Sequence, residues 1–327
     1  MNIIIYSFFI ILFCFSNILA ILEADPSVYS SLLGSVRREV VDNILKGIPQ
    51  KKDMKYEQFI EAMKKIKNSY SLSEAEFAYL AYKWIAQNID VQYNLGNKNS
   101  YPPFVYELGR GTPYGIALLF CTVSSNLGAR PNLITGYVKV VNKNNYNEMI
   151  SEIESAWNCI MIGGQTYLVD VSLAAGNYNE NEFERRYTDV YFATKPNYFI
   201  YRHFPHTEIR QLLTRPIDLE TFNSFTFVDS TFFLYGFYKF EPTEKEVLIE
   251  NNLEFEINYN PNISNGIVLP MLIDKTHSYQ GDTKIINYNG ETEIIFNYLE
   301  LKIVYLEISI INNKQETIPI LIYKLVP

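Results

Sequence analysis

The chain has 327 residues, a formal net charge of −8, 48% apolar residues and 20% charged residues. That balance is too apolar for a disordered chain, and the lack of a long basic run excludes nucleic acid as a partner. The length predicts about two domains.

The first segment, Ile3 to Leu22, is almost wholly apolar and uncharged, and Glu23 and Asp25 follow it. With Ala20 as a small residue at its end, residues 1–20 are expected to be a signal peptide. The rest of the chain is then secreted. Left uncleaved, the same run would anchor it in a membrane, and no second run of spanning length follows.

Residues 23–70 predict helix, with Tyr56, Phe59, Ile60, Met63 and Ile66 at helical spacing. Ser73 and Glu76 form a capping box ahead of a second stripe, Phe77, Leu80, Ala81, Trp84 and Ile85. Ile89, Val91 and Tyr93 alternate as an extended segment. Residues 94–112 read as an Asn-, Gly- and Pro-rich loop. Thr112 as N-cap and Pro113 in the first turn then open a buried helix to about Leu127, with Gly128 as its cap.

Strands are expected at Leu133–Val141, Ala156–Ile162 and Thr166–Val171. The polar excursion 142–154 separates the first two, and a Gly163-Gly164 turn joins the last two. Residues 172–240 have no clean period. Beyond Pro242, strands are expected at Val247–Tyr259, Gly266–Ile273, Lys284–Tyr288, Glu293–Tyr298, Leu301–Ile311 and Ile318–Leu325, with Asn289-Gly290 as a hairpin turn. Such regular short strands point to a β-sandwich.

Four short runs carry the specificity: Gly111-Thr112-Pro113-Tyr114-Gly115, Gly136-Tyr137-Val138-Lys139, Ser155-Ala156-Trp157-Asn158 and Tyr167-Leu168-Val169-Asp170. Downstream come Asp189-Val190-Tyr191-Phe192, Pro196, His203-Phe204-Pro205 and Gln211-Leu212-Leu213. This series resembles the transglutaminase-like superfamily and, within it, the kyphoscoliosis peptidase branch. The resemblance implies an α+β chain. A papain-like domain of helices on an antiparallel sheet would occupy 21–240, and an Ig-like β-sandwich 241–327.

In that family a cysteine opens the buried helix, a histidine precedes Ala-Trp-Asn, and an aspartate ends Leu-Val-Asp. The helix dipole and the imidazole favour the thiolate, and the carboxylate orients the histidine. Here Pro113 stands at the cysteine position and Ser155 at the histidine position. Only Asp170 is retained, so Thr112, Pro113, Ser155, Trp157 and Asn158 line a former cleft. Proline carries no nucleophile and serine is no base near neutral pH.

Cys121 and Cys159 either pair as a disulfide in an oxidising compartment or stay as buried free thiols. Asn262 begins a glycosylation sequon. Trp84 and Trp157 read as core anchors. His203 and His206 read as turn or packing residues, and no metal set has usable spacing. No cofactor motif is present.

Three functional readings follow. The first is a non-catalytic scaffold with protein partners. The second is a thiol peptidase or transamidase using a displaced cysteine. The third is a structural or adhesive extracellular protein.

Overall fold

The computed structural model describes residues 25–48, 54–95, 100–125, 129–141, 150–179, 182–248, 252–260, 268–273, 278–279, 283–288, 290–297, 305–311 and 317–326. The leader 1–20, Gly128 and Asn262 lie outside the described residues. Among the described residues, no helix is long and apolar enough to cross a membrane.

The chain is α+β, with helices first and antiparallel sheets after them. Helices α1 (Arg38–Gly47) and α2 (Tyr56–Ser69) each bury one apolar face. Helix α3 (Glu74–Asn88) is buried on nearly every side, including Phe77, Tyr79, Tyr82, Trp84 and Ile85. A helix apolar all round belongs in a core. Its start is the expected capping box: Glu76 N donates to Ser73 Oγ, and Ser73 N donates to the Glu76 carboxylate. Arg37 also pairs with Glu76 and holds its carboxyl down at about 2.

The expected loop 94–112 contains a helix. Strand β1 (Asp90–Val91) pairs in parallel with β2 (Arg110–Gly111), and α4 (Pro102–Leu108) lies between them. Two prolines in its first turn lose no hydrogen bond there, and Gly109 at φ 68 ends it. Phe59 of α2, Trp84 of α3 and Tyr106 of α4 stack together, with Phe59 4.2 Å from Trp84 and 4.9 Å from Tyr106. Each such buried ring stabilises the packing by about 1.5–3 kcal/mol.

Helix α5 (Pro113–Ser125) packs on strands β3 (Arg130–Val141) and β4 (Ile150–Ile162). Strand β5 (Gln165–Val169) follows the Gly163-Gly164 turn, where both residues have positive φ. Helix α6 (Val171–Ala175) leads into a hairpin of β6 (Gly176–Asn179) and β7 (Glu182–Arg185). Then come β8 (Phe192–Thr194), α7 (Pro196–Phe199), β9 (His203–Pro205) and α8 (Leu219–Ser224). The sheet runs β8-β5-β4-β3-β9 and is antiparallel throughout. Residues 150–154, expected within the polar excursion, are already strand and pair with 137–141.

Two further sheets complete the chain. One contains β11 (Phe237–Glu241), β13 (Asn252–Tyr259), β17 (Glu291–Asn297) and β16 (Thr283–Tyr288), in that order. The other runs from β10 (Phe227–Val228) through β19 (Thr317–Val326), β18 (Tyr305–Ile311) and β14 (Val268–Ile273) to β15 (Ser278–Tyr279). Strand β12 (Glu246–Leu248) joins β19 in parallel. Phe255 of β13 meets Tyr323 of β19 at 4.9 Å, so the two sheets share a core. The expected single strand Val247–Tyr259 is therefore two strands, β12 and β13, in different sheets. Strands β10 and β11 pair within these sheets although β10 lies before residue 241 and β11 ends at it. Helix α9 (Ser230–Leu234) links them.

Lys139 departs from simple strand alternation. It is fully buried, and α8 with the segment after it forms its lid. Its Nζ donates to the Phe225 carbonyl and lies 4.7 Å from the Phe222 ring and 5.7 Å from the Phe225 ring. Glu152 faces it across the strand pair. Burial pushes the ammonium down to about 7, against the opposing pull of Glu152. A lysine lowered in the folded state binds its proton more tightly when unfolded. Stability is therefore expected to rise with pH from about 7 towards the ordinary lysine range, by up to about 1.4 kcal/mol per pH unit. Urea denaturation at pH 7, 8 and 9 measures this rise, and Lys139→Met should flatten it.

Candidate functional site

The site is built where α5, the strand pair β3–β4 and the end of β5 meet. Thr112 Oγ1 accepts from Gly115 N at 3.1 Å, so its hydroxyl caps α5. Pro113 follows as the first helical residue and is buried. A Cβ on Gly115 would lie 3.1 Å from Ser100 Cα and 3.0 Å from the Val105 side chain. Close packing thus accounts for this glycine.

Asn158 locks β4 to α5. Its Nδ2 donates to the Ala117 carbonyl at 3.1 Å and reaches Cys121 Sγ at 3.1 Å. Trp157 is buried on the strand between Asn158 and Ala156. Its ring lies 5.0 Å from His203 and 6.1 Å from Phe199, and it packs over Gly136. Ser155 is half-buried and sits opposite Gly136 in the β3–β4 register.

Asp170 is fully buried and fully engaged. One oxygen accepts from Leu173 N at 2.9 Å, capping α6, and from Ser172 Oγ at 2.6 Å. The other meets His203 Nε2 at 3.0 Å. His203 Nδ1 faces the Phe199 carbonyl at 3.2 Å, and its ring stacks on Phe199 at 3.6 Å. A carbonyl can only accept, so Nδ1 carries a hydrogen. The Nε2–Oδ2 contact needs a second proton between its two atoms. Burial pulls His203 down, and the Asp170 hydrogen bond pulls it back up.

The sequence placed His203 among packing residues. The structure gives it a further role as the partner of Asp170. The family run His203-Phe204-Pro205 was the available signal. His206 is separate and more exposed, with Nδ1 3.3 Å from Thr135 Oγ1 and Nε2 3.7 Å from Glu154.

Cys121 and Cys159 are both free thiols. Cys121 lies against Asn158, whose side chain points to α5. Cys159 is the next residue along the strand and takes the opposite face, where Arg210 Nη1 lies 3.5 Å from its sulfur. Burial pushes Cys121 up to about 11. Burial also raises Cys159, against the lowering pull of Arg210. Among the described residues, no group of three or more His, Cys, Asp or Glu side chains is placed to hold a metal ion.

No family model matches the chain. Individual relatives do. Hillarin of Drosophila melanogaster is 29% identical over 181 residues, covering 50% of this chain and 22% of hillarin. The kyphoscoliosis peptidase of Mus musculus is 25% identical over 176 residues, 52% of this chain and 27% of the relative. The Lim and transglutaminase domain protein ltd-1 of Caenorhabditis elegans is 27% identical over 241 residues, 68% of this chain and 31% of the relative. The chain thus spans less than a third of the length of each of these relatives. Together with the motif run and the helix-on-sheet core, they support a transglutaminase-like family for this chain.

Proposed function

We propose that this chain is a non-catalytic transglutaminase-like protein, secreted and acting as a protein-binding scaffold. Its papain-like part supplies one surface and its β-rich end, an Ig-like sandwich, supplies another. The observation that carries the reading is the state of the former triad. Pro113 offers no thiol at the head of α5, and Asp170 is spent on α6 and a buried histidine. The apolar run Ile3–Leu22 supports the secretory route. The names of the relatives include a peptidase and a transglutaminase domain, and this chain keeps the motif frame around such a site without its thiol.

A displaced thiol is poorly supported. Cys121 meets an amide and Cys159 a guanidinium, and burial raises both above the range of an activated cysteine.

Labelling by a cysteine-directed electrophile near pH 7, folded and then unfolded, is the test. Cys121 is expected to label about a hundredfold more slowly in the folded chain, and Cys159 more slowly than when unfolded. Fast labelling of one folded-state cysteine would overturn the reading. The double variant Pro113→Cys with Ser155→His should restore labelling at position 113. A folded double variant that stays inert would show that the old cleft has closed.

A further inference from the structure

A small cavity of about 50 Å³ lies where the turn 186–191 meets α9. Arg186, Arg202, Tyr191, Asp229, Ser230 and Thr231 line it. Arg202 is only 7% exposed. Its Nε donates to the Lys139 carbonyl at 2.9 Å, and its Nη1 lies 3.3 Å from Tyr191 Oη and 3.4 Å from the Val228 carbonyl. The guanidinium also sits 4.4 Å from the centre of the Phe227 ring.

Buried guanidinium groups are normally matched by a carboxylate. Among the described residues, no ion pair joins Arg202 to any acid. Arg186 is exposed and reaches into the same space, donating from Nη2 to Thr231 Oγ1 at 2.9 Å, and it too has no acid partner among the described residues. Asp229 is the one acid on the wall, and its Oδ1 accepts from Thr231 N at 2.9 Å. Two guanidinium groups against one carboxylate leave one positive charge. The remaining lining is rich in hydroxyl groups, which can donate to an anion.

We infer that this cavity binds a single small oxyanion, either a carboxylate or a phosphate-sized group. A cavity of about 50 Å³ has room for a few waters or one such group. The forked guanidinium groups suit its paired oxygens. Arg202 supplies the buried charge and Arg186 the mouth. The inference is independent of the scaffold reading, since no residue of the old triad lines the cavity.

The test titrates the full chain with sodium phosphate, sodium acetate and a blocked glutamate-containing tripeptide, each at ionic strength held constant with chloride. Thermal unfolding and calorimetry read the result. Saturable stabilisation by at least one of the three is expected. Arg186→Gln, at an exposed position, should fold normally and weaken the binding by about tenfold or more. Arg202→Lys keeps the charge but loses the fork and should weaken it further. If Arg202→Lys fails to fold, Thr231→Val takes its place. Saturation by phosphate or acetate supports a free anion, and saturation by the peptide alone supports an acidic side chain of a partner. A non-saturating response in every titration, or saturation unchanged in Arg186→Gln, overturns the inference.

Discussion

Asp170→Ala should lower the free energy of unfolding by about 3–5 kcal/mol, read as a shift in the urea midpoint. The carboxylate has several partners. It caps α6 through Leu173 N, accepts from Ser172 Oγ and satisfies His203 within a site closed to water. Removing it orphans one buried imidazole nitrogen and the first turn of α6 together, and leaving buried partners unmatched is the costly event. Asp170→Asn offers a useful contrast. Asparagine can still cap the helix. Neutral His203 with its hydrogen on Nδ1 can accept from the amide at Nε2 and keep its bond to the Phe199 carbonyl. That variant should lose less, about 1–2 kcal/mol. A loss below about 1 kcal/mol for Asp170→Ala would mean that this aspartate has no structural role.

Gly136→Ala is the second large effect. A Cβ at this position would lie 2.6 Å from the Trp157 ring and 2.7 Å from Pro205 Cα, with the Phe204 carbonyl closer still. Two of these three neighbours are backbone of β9 and cannot rotate away. The strand must move off β3, and His203 sits on the same three-residue strand. Overpacking of this kind costs about 3 kcal/mol or more where the backbone has to yield. Thermal unfolding checks it. Weakened near-ultraviolet dichroism from Trp157 should accompany the loss. A variant with unchanged stability would show that β9 is free to slide.

Local chemistry was the legible part of this chain. Ser73 with Glu76, Thr112 before Pro113, the paired glycines 163 and 164, and the hairpin between β16 and β17 all act within a few residues. Sequence neighbours decide them, and the structure contains each one. Pro102 and Pro103 misled for a related reason. The same residue type that breaks a helix interior also starts one, and only the following Phe104 to Leu108 decides which.

What stayed hidden depends on distant pairing. His203 lies 33 residues from Asp170, and their contact depends on β9 lying beside β3 while α6 starts at the end of β5. Lys139 looks like an ordinary polar strand position until Phe222 and Phe225 fold over it. Arg202 and Arg186 come to line one cavity only through turns in a stretch without period. The motif frame pointed to Asp170, and it could not show that this carboxylate lies in the core.

The strand order of the last sheets sets a schedule for synthesis. Strand β19 is flanked by β18, by β10 from nearly a hundred residues earlier, and by the parallel β12. Its place is interior to the sheet. While the ribosome is still making residues before Thr317, β10, β12 and β18 have no common partner. The edge that each will present to β19 stays open, and apolar side chains such as Phe227 and Val228 have no sheet to close on. The nascent chain therefore carries a sticky, half-built layer through much of its final third. In that window chaperone cover would count most.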